Sequence, residues 1–506
     1  MTRTAEEIGR GLAAVREARA IPAGERIHVV GVAGAGASAV ALLAHHAGAV
    51  VSGCDAGGPS PYTAAVEMAG IDLAWQHSAD HLTGDVAHRP QRVAVTKALT
   101  AVDPDHPELV AARTTGVPIE AWQQVVADVA AGAGQRLIAV AGTHGKSTTT
   151  GWLVDLLVRD GRDPSAFVGA LLPASITGAE PATARWGGGD LFVVEADEYA
   201  GNFDPYRPAT ALLLNAEWDH PDVFVDQQAV EDAFLAWLGA AAAGGQTPTL
   251  IANTDDDGVA RICRRLDSWP GRVVGIGFDV TRSASVRGRL QTAPGEPGML
   301  TVERAEGTQI SLTVGLPGSH NAANALAVVA VAHELGVSDD ALRASLADFA
   351  GVGRRLELKG EFGGVVVLDD YGHHPTAIAR TIEAVRQRYP GRRLWAVYEP
   401  LTFHRTASML ARFAQVLATA DRAVIADIWA GRDPDTTVTS SAALAEAISA
   451  LSETPAIAPG SVEATAAQLA GEVRRGDVVL VMGGGRSYVI AQLLVEALAG
   501  STARSG

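Results

Sequence analysis

At 506 residues the chain is long enough for about two to four domains, each burying its own core. Forty basic against 57 acidic residues leave a formal net charge of −17, which argues against a general nucleic-acid binder, whose footprint is a basic face. Two cysteines, Cys54 and Cys263, are too few for a disulfide framework or for a thiolate zinc site by themselves, and no apolar run approaches the roughly 18 residues of a membrane span.

The first 25 residues mix Arg3, Glu6, Glu7, Arg10, Arg16 and Arg19 with alanines. They read as a short amphipathic helix or a ragged terminus, not a signal peptide, and predict a cytoplasmic protein. Ile27 to Val30 reads as a strand, followed by a glycine turn, a helix near Ser38 to Ala47, and a second strand over Ala49 to Ser52. Arg92 to Val95 and Gly116 to Ile119 are strand-like, and Ala130 to Gly134 reads as a linker. The second block has apolar strands at Leu137 to Ala141, Asp190 to Val194, Thr210 to Leu214 and Thr249 to Ala252. Val273 to Val314 suggests a small β excursion, and a helix pair spans Asn321 to Phe349. The third block alternates helices with strands at Val365 to Leu368, Arg393 to Tyr398, Ala423 to Ile428 and Asp477 to Met482, and Ser501 to Gly506 reads as a disordered tail. Strands alternating with helices predict an α/β protein with mostly parallel, doubly wound sheets. The expected domains are 1–133, 134–351 and 352–506.

The most informative stretch is Gly142-Thr143-His144-Gly145-Lys146-Ser147-Thr148-Thr149-Thr150, between an apolar strand and a helix. Strand, glycine turn, Lys-Ser and helix hold a polyphosphate: backbone N–H groups and the helix N-terminus face the anion, lysine neutralises it, and the next hydroxyl ligates Mg²⁺. Val140 occupies the place of the distal glycine of a Walker A loop, so this is a tighter form. Val193-Val194-Glu195-Ala196-Asp197-Glu198 ends a strand in three carboxylates, a costly arrangement unless a cation sits there, and Mg²⁺ suits it. Leu214-Asn215-Ala216-Glu217-Trp218-Asp219-His220 again brings polar groups to a strand end, and His220 is a candidate ligand for a second metal.

In Pro317-Gly318-Ser319-His320-Asn321-Ala322-Ala323-Asn324, the two asparagines share a helix face, with Ser319 or His320 as cap. Gly353-Arg354-Arg355 precedes Asp369-Asp370-Tyr371-Gly372-His373-His374-Pro375, where adjacent histidines point apart and do not suit zinc. Tyr398-Glu399-Pro400-Leu401-Thr402-Phe403-His404-Arg405 is another strand-to-helix turn. The first turn, Gly31-Val32-Ala33-Gly34-Ala35-Gly36, is followed by Ser38 and by Asp55 after the second strand. An acid there would meet a ribose hydroxyl in a dinucleotide fold.

Jointly, Gly-Thr-His-Gly-Lys, Glu-Ala-Asp-Glu, Asp-His, His-Asn-x-x-Asn-Ala, Gly-x-x-Arg-Arg and Asp-Asp-Tyr-Gly-His-His-Pro resemble the Mur ligases over nearly the whole chain, in the right order. The resemblance implies a Rossmann-like UDP-sugar domain, a central ATPase domain and a C-terminal Rossmann-like domain. It implies ATP and Mg²⁺ as cofactors, with Gly142 to Thr148 on the phosphates, Lys146 at the β and γ phosphates, and Ser147, Glu195 and His220 on metal. Asn321 and Asn324 would meet the adenine side, while Arg355, Asp369 and Asp370 would reach ATP from the last domain. Gly34, Gly36, Ser38 and Asp55 would hold the UDP part, and His373 and Arg405 would face the reacting groups.

The implied reaction joins an amino acid, L-alanine favoured, to the lactyl carboxylate of UDP-N-acetylmuramate through an acyl phosphate, in peptidoglycan precursor synthesis. The implied enzyme is a monomer or homodimer with no nucleic-acid or membrane partner. The chain departs from the family pattern in places. Ser147 replaces the usual threonine. The usual Phe-Gln-Pro-His is Tyr398-Glu399-Pro400-Leu401, and Gly484-Gly485-Arg486 replaces Gly-Ala-Gly-Asp. Tyr199 to Asp204 is closer to the related ligase that reattaches recycled tripeptide. A different amine, either that peptide or a specialised-metabolite amino acid, therefore stays open, and Leu401 and Thr402 are where the choice is expected to be made. A nicotinamide-dependent oxidoreductase would use the first glycine turn but leaves Lys146, Glu195 and the asparagine pair unexplained.

Overall fold

The computed structural model describes residues 3–243, 247–303, 307–431, 433 and 435–505. The strands at the centres of its sheets are the near-continuous apolar runs expected where a sheet is covered on both faces, whereas those over Val286–Gln291, Gly298–Glu303, Gln309–Val314 and Glu357–Phe362 alternate or stand exposed. Five form a parallel sheet: β1 (Arg26–Val30), β2 (Val50–Cys54), β3 (Asp72–Ala74), β4 (Arg92–Val95) and β5 (Ile119–Ala121), in the order β3-β2-β1-β4-β5. The order reverses direction at β1, and the Gly31–Gly36 turn lies in the crevice beyond its C-terminal end, where open α/β sheets generally take ligands.

Ten strands form the second sheet: β6 (Arg136–Ala141), β7 (Ser165–Leu172), β8 (Ala182–Arg185), β9 (Leu191–Ala196), β10 (Thr210–Leu213), β11 (Thr249–Asn253), β12 (Arg272–Gly277), β13 (Val286–Gln291), β14 (Gly298–Glu303) and β15 (Gln309–Val314). Their order is β15-β14-β13-β12-β11-β10-β6-β9-β7-β8. β6 lies between β9 and β10, parallel to both, with Val140 opposite Glu195 and Ala141 opposite Leu213. That register brings the ends of three strands to one level, beside the phosphate loop.

The third sheet holds β16 (Glu357–Phe362), β17 (Val365–Asp370), β18 (Leu394–Glu399), β19 (Arg422–Ala426), β20 (Ile457–Gly460) and β21 (Val478–Gly483), in the order β16-β17-β21-β18-β19-β20. Only β16 runs antiparallel to its neighbour. The chain forms two compact units. One holds Met1–Arg289, Leu300–Thr313 and Ala323–Val352; the other holds Leu290–Met299, Val314–Ala322 and Gly353–Gly506.

The α/β architecture matches the expectation, and several local readings are corrected. Val117 and Pro118 precede β5 instead of belonging to it, because Gly116 ends the helix Pro107–Thr115 in a left-handed cap. Ala130–Gly132 are not linker but the last turn of the helix Trp122–Gly132, whose Val125, Val126, Val129 and Ala130 are buried in the core. The N-terminal helix is a single turn, Ala5–Ile8, with a capping box between Thr4 and Glu7. Ser501 to Ser505 continue the helix Ser487–Ser505 rather than forming a disordered tail, and Gly506 lies outside the described residues. The β excursion after Val273 is an extension of the central sheet. Ser319 and His320 lie inside the helix Ser319–Leu335, not before it. Among the described residues no helix is long and apolar enough to cross a membrane.

Candidate active site

β6 ends at Ala141 and the helix Lys146–Arg159 begins at Lys146, so Gly142 to Gly145 make the turn. Gly145 has φ +82°, and a Cβ there would stand 2.7 Å from Asn324 Oδ1. Only glycine lets the backbone pass so close to that side chain. The loop is stapled to the segment after β10. His144 N–H donates to Asn215 Oδ1 at 2.7 Å, and Asn215 Nδ2 donates back to the His144 carbonyl at 3.1 Å. Thr143 Oγ accepts from the Glu217 N–H at 2.9 Å and donates to the Glu217 carbonyl at 3.1 Å. Buried Ser147, Thr148 and Thr149 anchor the first helical turn. The helix end is thus fixed with its N-terminal dipole toward the turn, the arrangement that binds phosphate.

Two ion systems flank this loop. Ser147 Oγ donates to Glu195 Oε1 at 2.9 Å, and Glu195 Oε2 accepts from the Gly169 N–H at 2.7 Å. Lys146 Nζ donates to the Gly142 carbonyl at 2.6 Å and to Glu198 Oε2 at 3.0 Å, with Asp197 Oδ1 at 3.5 Å. Burial disfavours the ammonium, but Glu198, Asp197 and Glu195 outweigh that and hold Lys146 charged. Burial raises Glu198 above the usual carboxylate range against the pull of Lys146, and Asp197 adds repulsion. Asp197 is drawn down, against its own burial, by Lys146 and His220.

Ligand atoms of Asp197, Glu198 and His220 lie within 4.8 Å of one another. His220 has φ +55°, and its ring stands edge-on to Tyr199 at 5.0 Å. A left-handed histidine is strained backbone of the kind that collects at functional sites. The expected metal set therefore divides. Ser147 pairs with Glu195, whereas His220 stands with Asp197 and Glu198. Mostly oxygen donors beside a phosphate loop fit Mg²⁺, and the glycine cradle with its lysine fits a nucleoside triphosphate.

In the first sheet, Asp55 receives N–H bonds from Ala33 at 3.2 Å and Gly57 at 2.7 Å, bracing the glycine turn. Gly34 caps the helix Ala35–His46. Gly36 gives way to Trp122, whose ring would lie 2.6 Å from a Cβ there. Ser38 is fully buried, its hydroxyl bonded to the Ala35 carbonyl and to Thr183 Oγ.

The second compact unit gathers its own polar groups at the C-terminal strand ends. Asp369 and Asp370 end β17, and Glu399 ends β18 opposite Gly483. Asp370 accepts from the N–H groups of Leu356 and Gly372, at 2.8 and 2.7 Å. Burial pushes Asp369 up to about 6, although Arg354 Nε lies 3.3 Å away and pulls the other way. Arg354 has φ +57° and donates to the Gly483 carbonyl and Ser487 Oγ. Arg355 lies 4.9 Å over the Tyr371 ring. Arg354 also stacks on the Tyr371 and Tyr488 rings, each at 5.1 Å. The arginine that pairs with the aspartate is thus Arg354, not named as a site residue from the sequence, while Arg355 shares only the Tyr371 ring with it.

His373 Nδ1 lies 3.0 Å from the Tyr371 carbonyl, and His374 caps the helix Pro375–Arg388. Asn321 Nδ2 donates to the Pro317 carbonyl at 2.8 Å. Arg405 is buried in the helix Phe403–Ser408. Burial raises Glu399 to about 7, against N–H bonds from Ser487 and Arg486. Leu401 bridges Trp429, and Thr402 has φ +61°.

A strand–glycine-turn–helix with lysine, hydroxyl and carboxylates in place defines a nucleoside-triphosphate-using α/β protein. The chain matches the Mur ligase family, catalytic domain, over residues 26–133, the Mur ligase middle domain over 140–332, and the Mur ligase, glutamate ligase domain, over 354–485. It is 34% identical over 508 residues to UDP-N-acetylmuramate--L-alanine ligase of Frankia casuarinae, covering 95% of this chain and 99% of that one. It is 35% identical to the protein of the same name from Streptomyces griseus, over 95% and 98% of the two chains. The solved UDP-N-acetylmuramate-alanine ligase MurC from Thermotoga maritima shares the fold with a TM-score of 0.77 at 24% identity, covering 94% and 99%. A murein peptide ligase from Psychrobacter arcticus follows at 0.70 and 25%, with the same coverage. This chain belongs to the Mur ligase family.

Proposed function

We propose that the chain is a cytoplasmic ATP-dependent ligase that joins L-alanine to the lactyl carboxylate of UDP-N-acetylmuramate. The observation that carries this is Lys146 beside the glycine turn, with Ser147 on Glu195 and the Asp197–Glu198–His220 group next to it. Relatives above 30% identity over nearly the full chain bear that enzyme's name, which supports the choice of substrates.

The carboxylate oxygen attacks the γ-phosphorus of ATP in line, and ADP departs. Lys146 leaves Glu198 for the transferring phosphoryl group and offsets its charge. The amine then attacks the acyl carbon, and phosphate leaves with the oxygen that the carboxylate supplied. Mg²⁺, held by Ser147 and Glu195 and by Asp197, Glu198 and His220, would supply further neutralisation of phosphate charge. Asn324 lines the loop, and Asn321 serves the adenine side. Gly34 and Asp55 serve the UDP moiety, with Gly36 and Ser38 packing the turn behind them. Arg355, Asp369 and Asp370 serve ATP, and His373 and Arg405 the reacting groups. The domains divide near 133 and 351.

Substrate labelled with ¹⁸O in the lactyl carboxylate tests this chemistry. The label is expected in the released phosphate. Phosphate free of label, with amide formed, would overturn the acyl-phosphate route.

A further inference from the structure

The first sheet carries a second constellation that the ligase chemistry does not use. His28 lies on β1 and Cys54 ends β2; since His28 pairs with Ser52 and Val30 with Cys54, strand alternation puts both side chains on one face. The helix Pro107–Thr115 covers that face with Glu108, and the turn Asp80–Thr83 brings His81. Cys54 Sγ lies 3.0 Å from both Glu108 oxygens, His81 Nδ1 2.6 Å from Oε1, and His28 Nε2 3.9 Å from the same oxygen.

Cys54 and Glu108 are fully buried, and His28 is 2% exposed. His28 Nδ1 is held by Ser52 Oγ at 2.9 Å, which turns Nε2 inward, where it is buried without a hydrogen-bond partner. Most buried ring nitrogens are satisfied, so one aimed at three other ligand-type atoms marks a place for a ligand. The arrangement matches an imidazole oriented by its outer hydrogen bond toward a metal. Tetrahedral zinc with ligands at about 2.0–2.3 Å spaces them roughly 3.3–3.8 Å apart. Here all four ligand atoms already lie within 4.8 Å of one another; the His81–Glu108 and Cys54–Glu108 pairs, at 2.6 and 3.0 Å, must open and His28 must draw in slightly.

We propose that His28, Cys54, His81 and Glu108 form a binding site for one zinc-class divalent cation. On binding, the Cys54 thiol proton leaves to solvent and the thiolate takes the metal; no electron moves. His77, partly exposed and 3.3 Å from Cys54 Sγ, lies on the solvent side and lines the entry. The Cys54 carbonyl accepts from the N–H groups of Gly31 and Val32 at 2.8 and 3.0 Å, so the ion would brace the first glycine turn from behind.

The test titrates Co²⁺ into the full chain, stripped with chelator and held in excess Mg²⁺. One equivalent should give tetrahedral d–d bands and a thiolate-to-cobalt charge-transfer band, and Zn²⁺ should abolish both. Cys54→Ser should remove the charge-transfer band, and Cys263→Ser should leave it intact. His28→Gln and Glu108→Gln should each weaken binding at least tenfold, with circular dichroism reporting the fold. Absence of the band in the unaltered chain, or its survival in Cys54→Ser, would overturn the assignment, whichever variants fold.

Discussion

Lys146 Nζ donates to Glu198 Oε2 at 3.0 Å, with Asp197 Oδ1 3.5 Å away. The lysine that the sequence assigns to phosphate is therefore also the counter-ion of a carboxylate that is 2% exposed. The proposed phosphate role and stability meet in one ammonium. Lys146→Met should lower kcat/KM by a factor of about 10²–10³ or more, as loss of a transition-state charge donor does. It should also destabilise the fold by about 3 kcal/mol, because buried negative charge is left uncompensated. Adding Glu198→Gln should restore most of the stability and none of the activity. Denaturant melts and steady-state rates on the single and double variants check this.

Ser147 and Glu195 make the second pair, at 2.9 Å. Ser147→Ala should raise the Mg²⁺ concentration for half-maximal rate about tenfold, a loss near 1.4 kcal/mol in ion binding. Ser147→Thr, which keeps the hydroxyl, should stay within about threefold of the parent. A Mg²⁺ titration of the ligase rate separates the two.

Gly145 sits at φ +82° with Asn324 Oδ1 2.7 Å from where a Cβ would be. Gly145→Ala should cost about 1–2 kcal/mol in the loop and raise the KM for ATP about tenfold, while the rest of the fold stays intact. Thermal melts with and without ATP should show a reduced ATP-dependent shift.

Glu399 is raised to about 7 by burial, and N–H bonds from Ser487 and Arg486 do not offset it. A raised carboxyl binds its proton more tightly in the folded state. Its stabilisation is present below about 4.5, the unfolded value, and is lost as pH rises through about 7. Glu399→Gln should remove that slope and, above pH 7, make the chain more stable than the parent by up to about 3 kcal/mol. Unfolding free energies measured from pH 4 to 8 check this prediction.

What could be read from the sequence was whatever sits in order along the chain. Apolar strands followed by Gly142, Lys146 and Ser147, or by Glu195, announce a loop and a charged strand end without any tertiary knowledge. Partner choice was less accessible. Three carboxylates in four residues do not reveal that Glu195 meets Ser147 while Glu198 turns back to Lys146. That outcome depends on how the strand end meets the first turn of the helix after Gly145, which no propensity signals. Arg354 and Arg355 are neighbours, and nothing in their spacing reveals that Arg354 is the one that pairs with Asp369. Ala130 to Gly132 looked like a linker because alanine is common throughout, and only packing of Val125 and Val129 reveals the helix. His28, Cys54, His81 and Glu108 come from four separate elements, so no spacing rule could gather them.

Phosphate release from ATP with UDP-N-acetylmuramate and a panel of amines tests the central claim most directly. The panel holds L-alanine, glycine, L-serine, D-glutamate and the tripeptide L-alanyl-γ-D-glutamyl-meso-diaminopimelate. Release that depends on both the sugar nucleotide and L-alanine, with L-alanine giving the highest kcat/KM, is the predicted result. Release driven by the tripeptide or another amine but not by L-alanine would contradict it.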